Sequence, residues 1–310
     1  MSHDPETSGM DADISSLGAH DVARIGFGAM QLERLTDRPA DALALLARAI
    51  DLGVNHIDTA QFYGNGFAND VIRRVLADGR RIVVATKVGA DPDPGAKRPI
   101  KPAQRPEQIR ASVEDNLRSL GLERLAIVNL RRLDIAPGLV AEGDQIVDID
   151  DQLAVMIAMR DEGRIGAIGL SAASPVNLQR AVPAGIVCVQ SAYSLLSRQY
   201  EGLLDLCVEH GIAWVPFFPL GGAHFPGWPK VADHAKVIEI AAEIAVTPSQ
   251  LGLAWLLAHR RNILLIPGTT SVSHLQENIA SAALSLGDDI LSALDVLGAA
   301  TIEPINGEAR

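Results

Sequence analysis

Three residues of types that cooperate in proton transfer lie close together in the first third of the chain. Asp58 and Tyr63 share one short segment, and Lys87 lies in the next apolar run. A phenol is a poor acid at neutral pH, but a neighbouring ammonium group stabilises the phenolate, and a carboxylate holds that ammonium charged and in place. The set is therefore suited to delivering a proton to an oxygen that becomes an alkoxide.

Two adjacent arginines end a further apolar run, VNLRRLD, at residues 128–134. Successive side chains of a strand point to opposite faces, so only one of Arg131 and Arg132 can face a site at the end of that strand. Two interpretations of Arg131 are open. It faces the site and selects substrates with an anionic group, or it pairs with Asp134 or another acid and turns away.

Short apolar runs that alternate with longer amphipathic segments must position these residues. Eight runs have the composition of buried parallel strands. They cover residues 24–30, 54–60, 81–89, 125–134, 167–172, 185–194, 213–220 and 263–270. Helical spacing, bounded by Pro or Gly, marks residues 40–53, 106–121, 150–163 and 247–260. The alternation predicts an α/β chain folded as a single (β/α)8 TIM barrel over residues 22–310.

The carboxyl ends of the strands carry the chemistry of such barrels. Asp58, Lys87 and Arg131 fall at the ends of the second, third and fourth predicted strands. A segment with five prolines, residues 90–106, follows the third strand. Proline removes a backbone donor, so we expect an irregular loop there that covers the substrate.

Composition limits the partners and the location of the protein. A formal net charge of -11 argues against nucleic acid or an anionic membrane surface as a partner. The two cysteines, Cys188 and Cys207, lack the spacing of a metal site or a disulfide framework, and no metal is expected. Residues 1–21 are polar, lack the pattern of a signal peptide and are expected to form a disordered tail. A cytoplasmic protein without a membrane span is predicted.

Several segments together resemble the aldo-keto reductase family. They are GVNHIDTAQFYGNG (53–66), VVATKVG (83–89), IGLSAASPVNLQRA (168–181) and IPGTTSVSHLQENIASA (266–282). The resemblance extends from about residue 22 to about residue 300, and it implies a TIM barrel that uses NADPH, without metal, to reduce aldehydes and ketones. It implies that Tyr63 is the general acid, Lys87 its partner and Asp58 the residue that orients Lys87. Arg131 occupies the fourth catalytic position, where most members have a histidine.

The resemblance also implies a cofactor site along the later strands. Ser171 and Gln190 match positions that hold the nicotinamide carboxamide, whereas Ala172 stands where the family usually has an asparagine. The ring of Phe217 is expected to stack on the nicotinamide. The backbone around Leu220 and Gly221 is expected to follow the pyrophosphate.

At the adenosine end, the resemblance assigns the 2′-phosphate and adenine to one segment. Its residues are Gly268, Thr269, His274, Glu277 and Asn278. Many members have lysine and arginine at the positions of Gly268 and His274. The absence of these cations from this chain weakens the expected preference for NADPH over NADH. A helix N-terminus can still bind phosphate through its N–H groups, so NADPH is the expected cofactor.

The sequence thus predicts an NAD(P)H-dependent aldo-keto reductase that reduces a small-molecule carbonyl compound, with Tyr63 as general acid. The chain is similar to a bacterial subgroup that includes pyridoxal reductases. Arg131 favours pyridoxal or another anionic or aromatic aldehyde. Two alternatives stay open. One is an NADPH-binding sensor or interaction module with little turnover, and the other is a Schiff-base lyase that uses Lys87. The oligomeric state is also open.

Overall fold

The described part of the protein, taken from a computed structural model, comprises residues 14–96, 99–135, 138–222 and 228–299. Its strands are β1 Ile14–Leu17, β2 His20–Ala23, β3 Phe27–Gly28, β4 His56–Asp58, β5 Val83–Val88, β6 Ala90–Pro92, β7 Ile100–Pro102, β8 Leu125–Arg131, β9 Ile165–Ser171, β10 Cys188–Gln190 and β11 Ala213–Trp214. Seven of them form one parallel sheet in the order β11, β10, β9, β8, β5, β4, β3.

Helices follow the strands and cover the outside of this sheet. They are α1 Pro39–Asp51, α2 Phe67–Ala77, α3 Pro106–Leu120, α4 Ile149–Asp161, α5 Pro175–Ala181, α6 Glu201–Glu209, α7 Ala235–Glu243, α8 Pro248–His259, α9 Val272–Ala280 and α10 Asp288–Gly298. Two of these helices begin or end at the residues that the sequence predicted as helix boundaries. Gly121 ends α3 with a φ of 67°, and the Thr247 side chain caps α8 by accepting a hydrogen bond from Gln250 N.

The eighth predicted strand closes the sheet on itself, although only isolated bridges form there. Ile263 pairs in parallel with Trp214 of β11, and Leu265 pairs with Ile25, just before β3. Pro267 has no N–H group, so the ladder does not extend through the whole predicted run. The closed sheet with helices outside confirms the predicted (β/α)8 TIM barrel.

An amino-terminal hairpin corrects the prediction of a disordered tail over residues 1–21. β1 and β2 pair antiparallel, and Leu17 and Val22 are buried in a cluster with Ile127 and Leu264 of the barrel interior. Burying two such side chains contributes about 3–6 kcal/mol, which is enough to hold a short hairpin. The prediction is therefore wrong for residues 14–21, and residues 1–13 lie outside the described residues.

The proline-rich segment contains regular structure that the sequence did not predict. β6 and β7 form a two-stranded antiparallel hairpin in which Ala90 pairs with Pro102 and Pro92 pairs with Ile100. Both prolines lie at strand ends of a ribbon that has open edges, where a missing N–H group costs little. The expectation of an irregular loop is therefore wrong for these residues.

No described helix is by itself long and apolar enough to cross a membrane. Only α7 and α8 taken together are long and apolar enough, by length and composition, and they are bent by 89° at their junction. Residues along most of α8 are buried inside the protein.

His56, at the start of β4, gives the protein a specific sensitivity to acid. Its side chain packs against Gly26, and neither ring nitrogen has a hydrogen-bond partner among the described residues. Burial lowers the pKa of His56 to about 4. A histidine in the unfolded chain binds a proton near pH 6.5, so the unfolded state is protonated first as the pH falls. The contribution of His56 to the free energy of unfolding is therefore lost between about pH 6.5 and pH 4.

We expect this single group to lower the free energy of unfolding by about 2 kcal/mol between pH 7 and pH 5. Urea unfolding of the wild type and of His56→Gln at both pH values measures the effect, because the other groups contribute equally to both proteins. The variant should lose about 2 kcal/mol less than the wild type over this interval. Equal losses in the two proteins would show that His56 is not buried as a neutral ring.

Candidate active site

Asp58 and Lys87 form a buried ion pair at the carboxyl ends of β4 and β5. The register pairs Asp58 with Ala85, so Lys87, two residues further along β5, faces the same side of the sheet. Lys87 Nζ donates a hydrogen bond to Asp58 Oδ1 and a second, of 3.1 Å, to the carbonyl oxygen of Thr59. The two side chains are only 6% and 5% exposed, so the pair is removed from water.

The charge of Lys87 is maintained by its neighbours. Burial alone favours the neutral amine, but the Asp58 carboxylate and the nearby Tyr63 oppose that effect and raise the pKa of Lys87 above its ordinary value. The side chain is therefore an ammonium group throughout the neutral pH range.

Tyr63 lies in the turn that connects β4 to α2. Its backbone N–H donates to the carbonyl oxygen of Ala60 over 3.0 Å, which holds the turn against the end of β4. Lys87 Nζ lies 5.0 Å from the centre of the Tyr63 ring, and the Phe62 ring packs edge-on against it at 5.1 Å. The local sequence thus brings the phenol beside the ammonium group.

Arg131, the last residue of β8, projects toward the same place. It lines the same cavity as Tyr63 and Lys87, with Cζ 6.0 Å from the centre of the Phe62 ring. Its buried Nε has no hydrogen-bond partner, and no acidic side chain of the described chain forms an ion pair with it. Burial lowers the pKa of Arg131, and Tyr63 partly opposes this effect.

Arg132 points to the other side of β8, as strand alternation requires. Its guanidinium pairs with Asp134 at 3.1 Å and donates hydrogen bonds to Gln152 and to the carbonyl oxygen of Val147. The interpretation in which Arg131 pairs with Asp134 is therefore wrong, because Arg132 takes that carboxylate.

A buried glutamine fixes the backbone that carries Arg131. Gln104, just after β7, donates through Nε2 to the carbonyl oxygens of Gly89 and Arg131, at 2.6 and 2.7 Å. Gln152 of α4 in turn donates to the Gln104 backbone over 2.7 Å. The hairpin of β6 and β7 and the end of β8 are thereby held together.

A cavity of about 720 Å³ opens at this end of the barrel and contains the four residues of the catalytic prediction, Asp58, Tyr63, Lys87 and Arg131. Sequence reasoning missed much of its wall. The missed lining residues include Met30, Gln31, Glu33, Phe62, Gly138 and Leu139. Met30, Gln31 and Glu33 lie in a 3-10 helix, Ala29–Leu35, and the others lie in connecting segments. The course of these segments depends on the folded barrel, and no local pattern marks them. Pro99 and Ile100 also line the cavity, as expected for a segment that covers the substrate.

Several residues predicted to bind the nicotinamide half of the cofactor lie together. The register places Arg131 beside Ser171 and Ser171 beside Gln190, so these side chains form a row across three adjacent strands, of which only Arg131 lines the cavity. Gln190 Nε2 donates to Asp58 Oδ2 over 2.6 Å, whereas its buried Oε1 has no partner among the described residues. Phe217 lines the cavity.

The predicted adenosine segment is only partly in the cavity wall. Leu220, Gly268 and Asn278 line the cavity, whereas Gly221, Thr269, His274 and Glu277 do not. Gly221 has a φ of 92°, and a Cβ there would collide with the carbonyl oxygen of Pro229, so only glycine fits. Ser271 caps α9 by accepting a hydrogen bond from His274 N.

The donor set of the site fits a nicotinamide cofactor better than a metal ion. The orphaned Gln190 Oε1 can accept a hydrogen bond from a carboxamide N–H, and the Phe217 ring offers an aromatic face. Ala172 has a φ of 51°, a conformation in which the asparagine usual at this position is easily accommodated, but it brings no side-chain donor. The described residues contain no group of three or more His, Cys, Asp or Glu arranged to hold a metal.

Comparison with known proteins assigns the chain to a family. The aldo/keto reductase family model matches residues 24–299. The chain is 40% identical to pyridoxine 4-dehydrogenase of Escherichia coli, over 92% of this chain and 98% of that protein. It is 28% identical to probable aldo-keto reductase 1 of Glycine max, over 86% and 83%.

A solved structure supports the same assignment. The aldo-keto reductase of Klebsiella pneumoniae in complex with NADPH superposes with a TM-score of 0.75 at 26% identity, covering 93% of this chain and 94% of that one. With a family match over residues 24–299 and this structural likeness, the chain belongs to the aldo/keto reductase family.

Proposed function

We propose that this protein reduces an aldehyde with NADPH, and that Tyr63 is the general acid. The observation that carries the proposal is the meeting of Tyr63 with the buried pair of Lys87 and Asp58 at a cavity large enough for a cofactor and a small substrate. The Klebsiella relative was crystallised with NADPH, which supports this cofactor over NADH.

The residues that would hold the nicotinamide are Ser171, Gln190 and Phe217, and the nicotinamide would supply the hydride. Gln190 would have two tasks, because Nε2 is already bound to Asp58 and Oε1 is left for the carboxamide. Leu220, Gly221, Gly268, Thr269, His274, Glu277 and Asn278 are proposed to follow the pyrophosphate and the adenosine.

The protein's own groups would manage the proton. The Tyr63 hydroxyl donates to the carbonyl oxygen of the substrate as that oxygen gains negative charge. The Lys87 ammonium, kept charged by Asp58, stabilises the phenolate that remains. The apolar wall formed by Phe62, Ile100 and Phe217 excludes water and strengthens these electrostatic interactions.

Arg131 defines the proposed substrate class. A half-buried guanidinium without an acidic partner among the described residues favours a ligand that brings its own anionic oxygen. The E. coli relative is named for oxidation of pyridoxine at carbon 4, and the corresponding aldehyde, pyridoxal, carries an ionised oxygen next to the reacting group. We therefore propose pyridoxal or a related anionic aromatic aldehyde as substrate.

The cellular setting is part of the proposal. A cytoplasmic location agrees with two buried free cysteines and an acidic chain. The partner is a small carbonyl compound rather than a nucleic acid or a membrane.

An absorbance screen tests this function directly. NADPH oxidation is followed with the purified protein and pyridoxal, neutral aromatic aldehydes or glyoxals as substrates. We expect turnover with several aldehydes and the highest kcat/KM with pyridoxal-like anions. If NADPH binds but no aldehyde is reduced, even in a single turnover, the protein is a nicotinamide-binding sensor and the proposal is wrong.

A further inference from the structure

The buried face of α3 carries polar residues where an apolar stripe is expected. Its inward positions follow helical spacing and are Ile109, Ser112, Val113, Asn116, Leu117 and Leu120. Asn116 has no exposed surface. A buried amide must satisfy its hydrogen bonds inside the protein, so its partners are specific rather than incidental.

The Asn116 side chain connects to the strand that carries Lys87. Its Oδ1 accepts a 2.6 Å hydrogen bond from Thr86 Oγ1. Its Nδ2 lies 3.3 Å from the carbonyl oxygen of Lys87, to which it donates. The backbone of Lys87 is thereby held from behind, on the side of β5 away from the cavity.

The same amide also reaches the turn that carries Tyr63. Asn116 Nδ2 donates to Gln61 Oε1 over 3.0 Å, and Gln61 lies two residues before Tyr63. Gln61 Nε2 donates in turn to Asp91 Oδ1 at 3.0 Å and to the carbonyl oxygen of Ala90 at 3.3 Å. Both polar atoms of the Gln61 side-chain amide are therefore hydrogen-bonded.

A third branch leads to the neighbour of Asp58. Asn69 of α2 donates to Asn116 Oδ1 over 3.4 Å, and Thr59 donates to Asn69 Oδ1 over 2.8 Å. Hydrogen bonds from one side chain on α3 thus extend to the chain segments of Asp58, Tyr63 and Lys87. Asn116, Gln61 and Asn69 do not line the cavity.

We propose that Asn116 is a positioning residue that sets the Tyr63 hydroxyl against the Lys87 ammonium group. The proposal rests on the function argued above. The turn of Tyr63 and the strand of Lys87 belong to different elements, and Asn116 joins them through Gln61 on one side and the Lys87 backbone on the other. A displacement of about 1 Å between reacting groups can cost up to about 100-fold in rate, so such a link matters to turnover.

Two variants that cut the link from opposite sides test the proposal. Asn116→Ala removes the amide, and Gln61→Met removes its partner while keeping the length of the side chain. In each we expect kcat with the best aldehyde to fall about tenfold, with the KM for that aldehyde and the Kd for NADPH within about twofold of wild type. The double variant should lose about as much as either single variant, because both act through one connection.

Asn55→Ala is the matched control. The Asn55 side chain accepts a hydrogen bond from Ala23 N and donates one to the carbonyl oxygen of Asp21, at the opposite end of the barrel. This variant should lower Tm and leave kcat unchanged. If Asn116→Ala does not fold, Gln61→Met carries the test.

The outcomes separate the two proposals. A wild-type protein that reduces no aldehyde overturns the function, and the positioning role with it. If the wild type is active and both Asn116→Ala and Gln61→Met keep its kcat, the positioning role alone is overturned. A fall in kcat that Asn55→Ala reproduces also overturns it. Additive losses in the double variant would show that Asn116 and Gln61 act separately, which would overturn the proposed connection between them.

Discussion

Tyr63→Phe is expected to lower kcat by about a thousandfold, the loss that follows removal of a general acid. The variant keeps the ring that packs against Phe62 and removes only the oxygen, so the fold and the cavity should be unchanged. Cofactor binding should also survive, because the residues proposed to hold the nicotinamide lie on β9, β10 and the segment after β11. The loss should therefore be confined to the chemical step.

Single-turnover oxidation of NADPH measures that step, and quenching of intrinsic fluorescence measures cofactor binding. Tyr200→Phe is the matched control, since Tyr200 immediately precedes α6 and does not line the cavity. Full activity of Tyr63→Phe would exclude Tyr63 as the proton donor. A parallel loss of NADPH binding would instead point to a disturbed cavity.

The environment of Lys87 argues against a Schiff-base lyase. Such an enzyme needs a neutral amine as nucleophile, and it usually obtains one by lowering the pKa of the lysine. Asp58 and Tyr63 do the opposite here, because they raise the pKa of Lys87. The Nζ hydrogen bonds to Asp58 and Thr59 also occupy two of its three donors. Borohydride with an aldehyde should therefore trap no adduct.

Sequence reasoning predicted the fold well because its signals are local. Pro106, Gly121 and Thr247 bound helices at or within one residue of the predicted positions. Strand lengths were overestimated, and at β11 the cause is Pro216, which interrupts the ladder. The amino-terminal hairpin was missed because four-residue strands are too short to show a period.

The site was predictable only where short spacing carries the information. Asp58 and Tyr63 belong to one segment, and alternation alone separates Arg131 from Arg132. The hydrogen bond from Gln190 to Asp58 joins residues 132 positions apart, and only the closed barrel creates it. The sequence shows Asn116 as a polar residue at a core position of α3. Its hydrogen-bond partners come from three other elements, so the sequence alone does not identify them.

The histidine that most members have at the position of Arg131 offers the sharpest test of substrate choice. Arg131→His restores the usual neutral donor and removes a permanent charge. A hydrogen bond to a charged group contributes about 1.5–3 kcal/mol, so kcat/KM for pyridoxal should fall about ten- to hundredfold. A neutral aromatic aldehyde of similar size should keep its kcat/KM, and the Kd for NADPH should not change.

The ratio of kcat/KM for the two aldehydes is the quantity to measure, because it cancels general losses in active protein. Arg105→Gln is the control for the change in net charge, since Arg105 pairs with Asp144 and Glu107 on the surface. Equal losses for charged and neutral aldehydes would mean that Arg131 polarises the carbonyl rather than binding an anion. If the ratio of kcat/KM and both rates are unchanged, Arg131 takes no part in the reaction. A cation in contact with the substrate would distinguish a charged aldehyde from a neutral one.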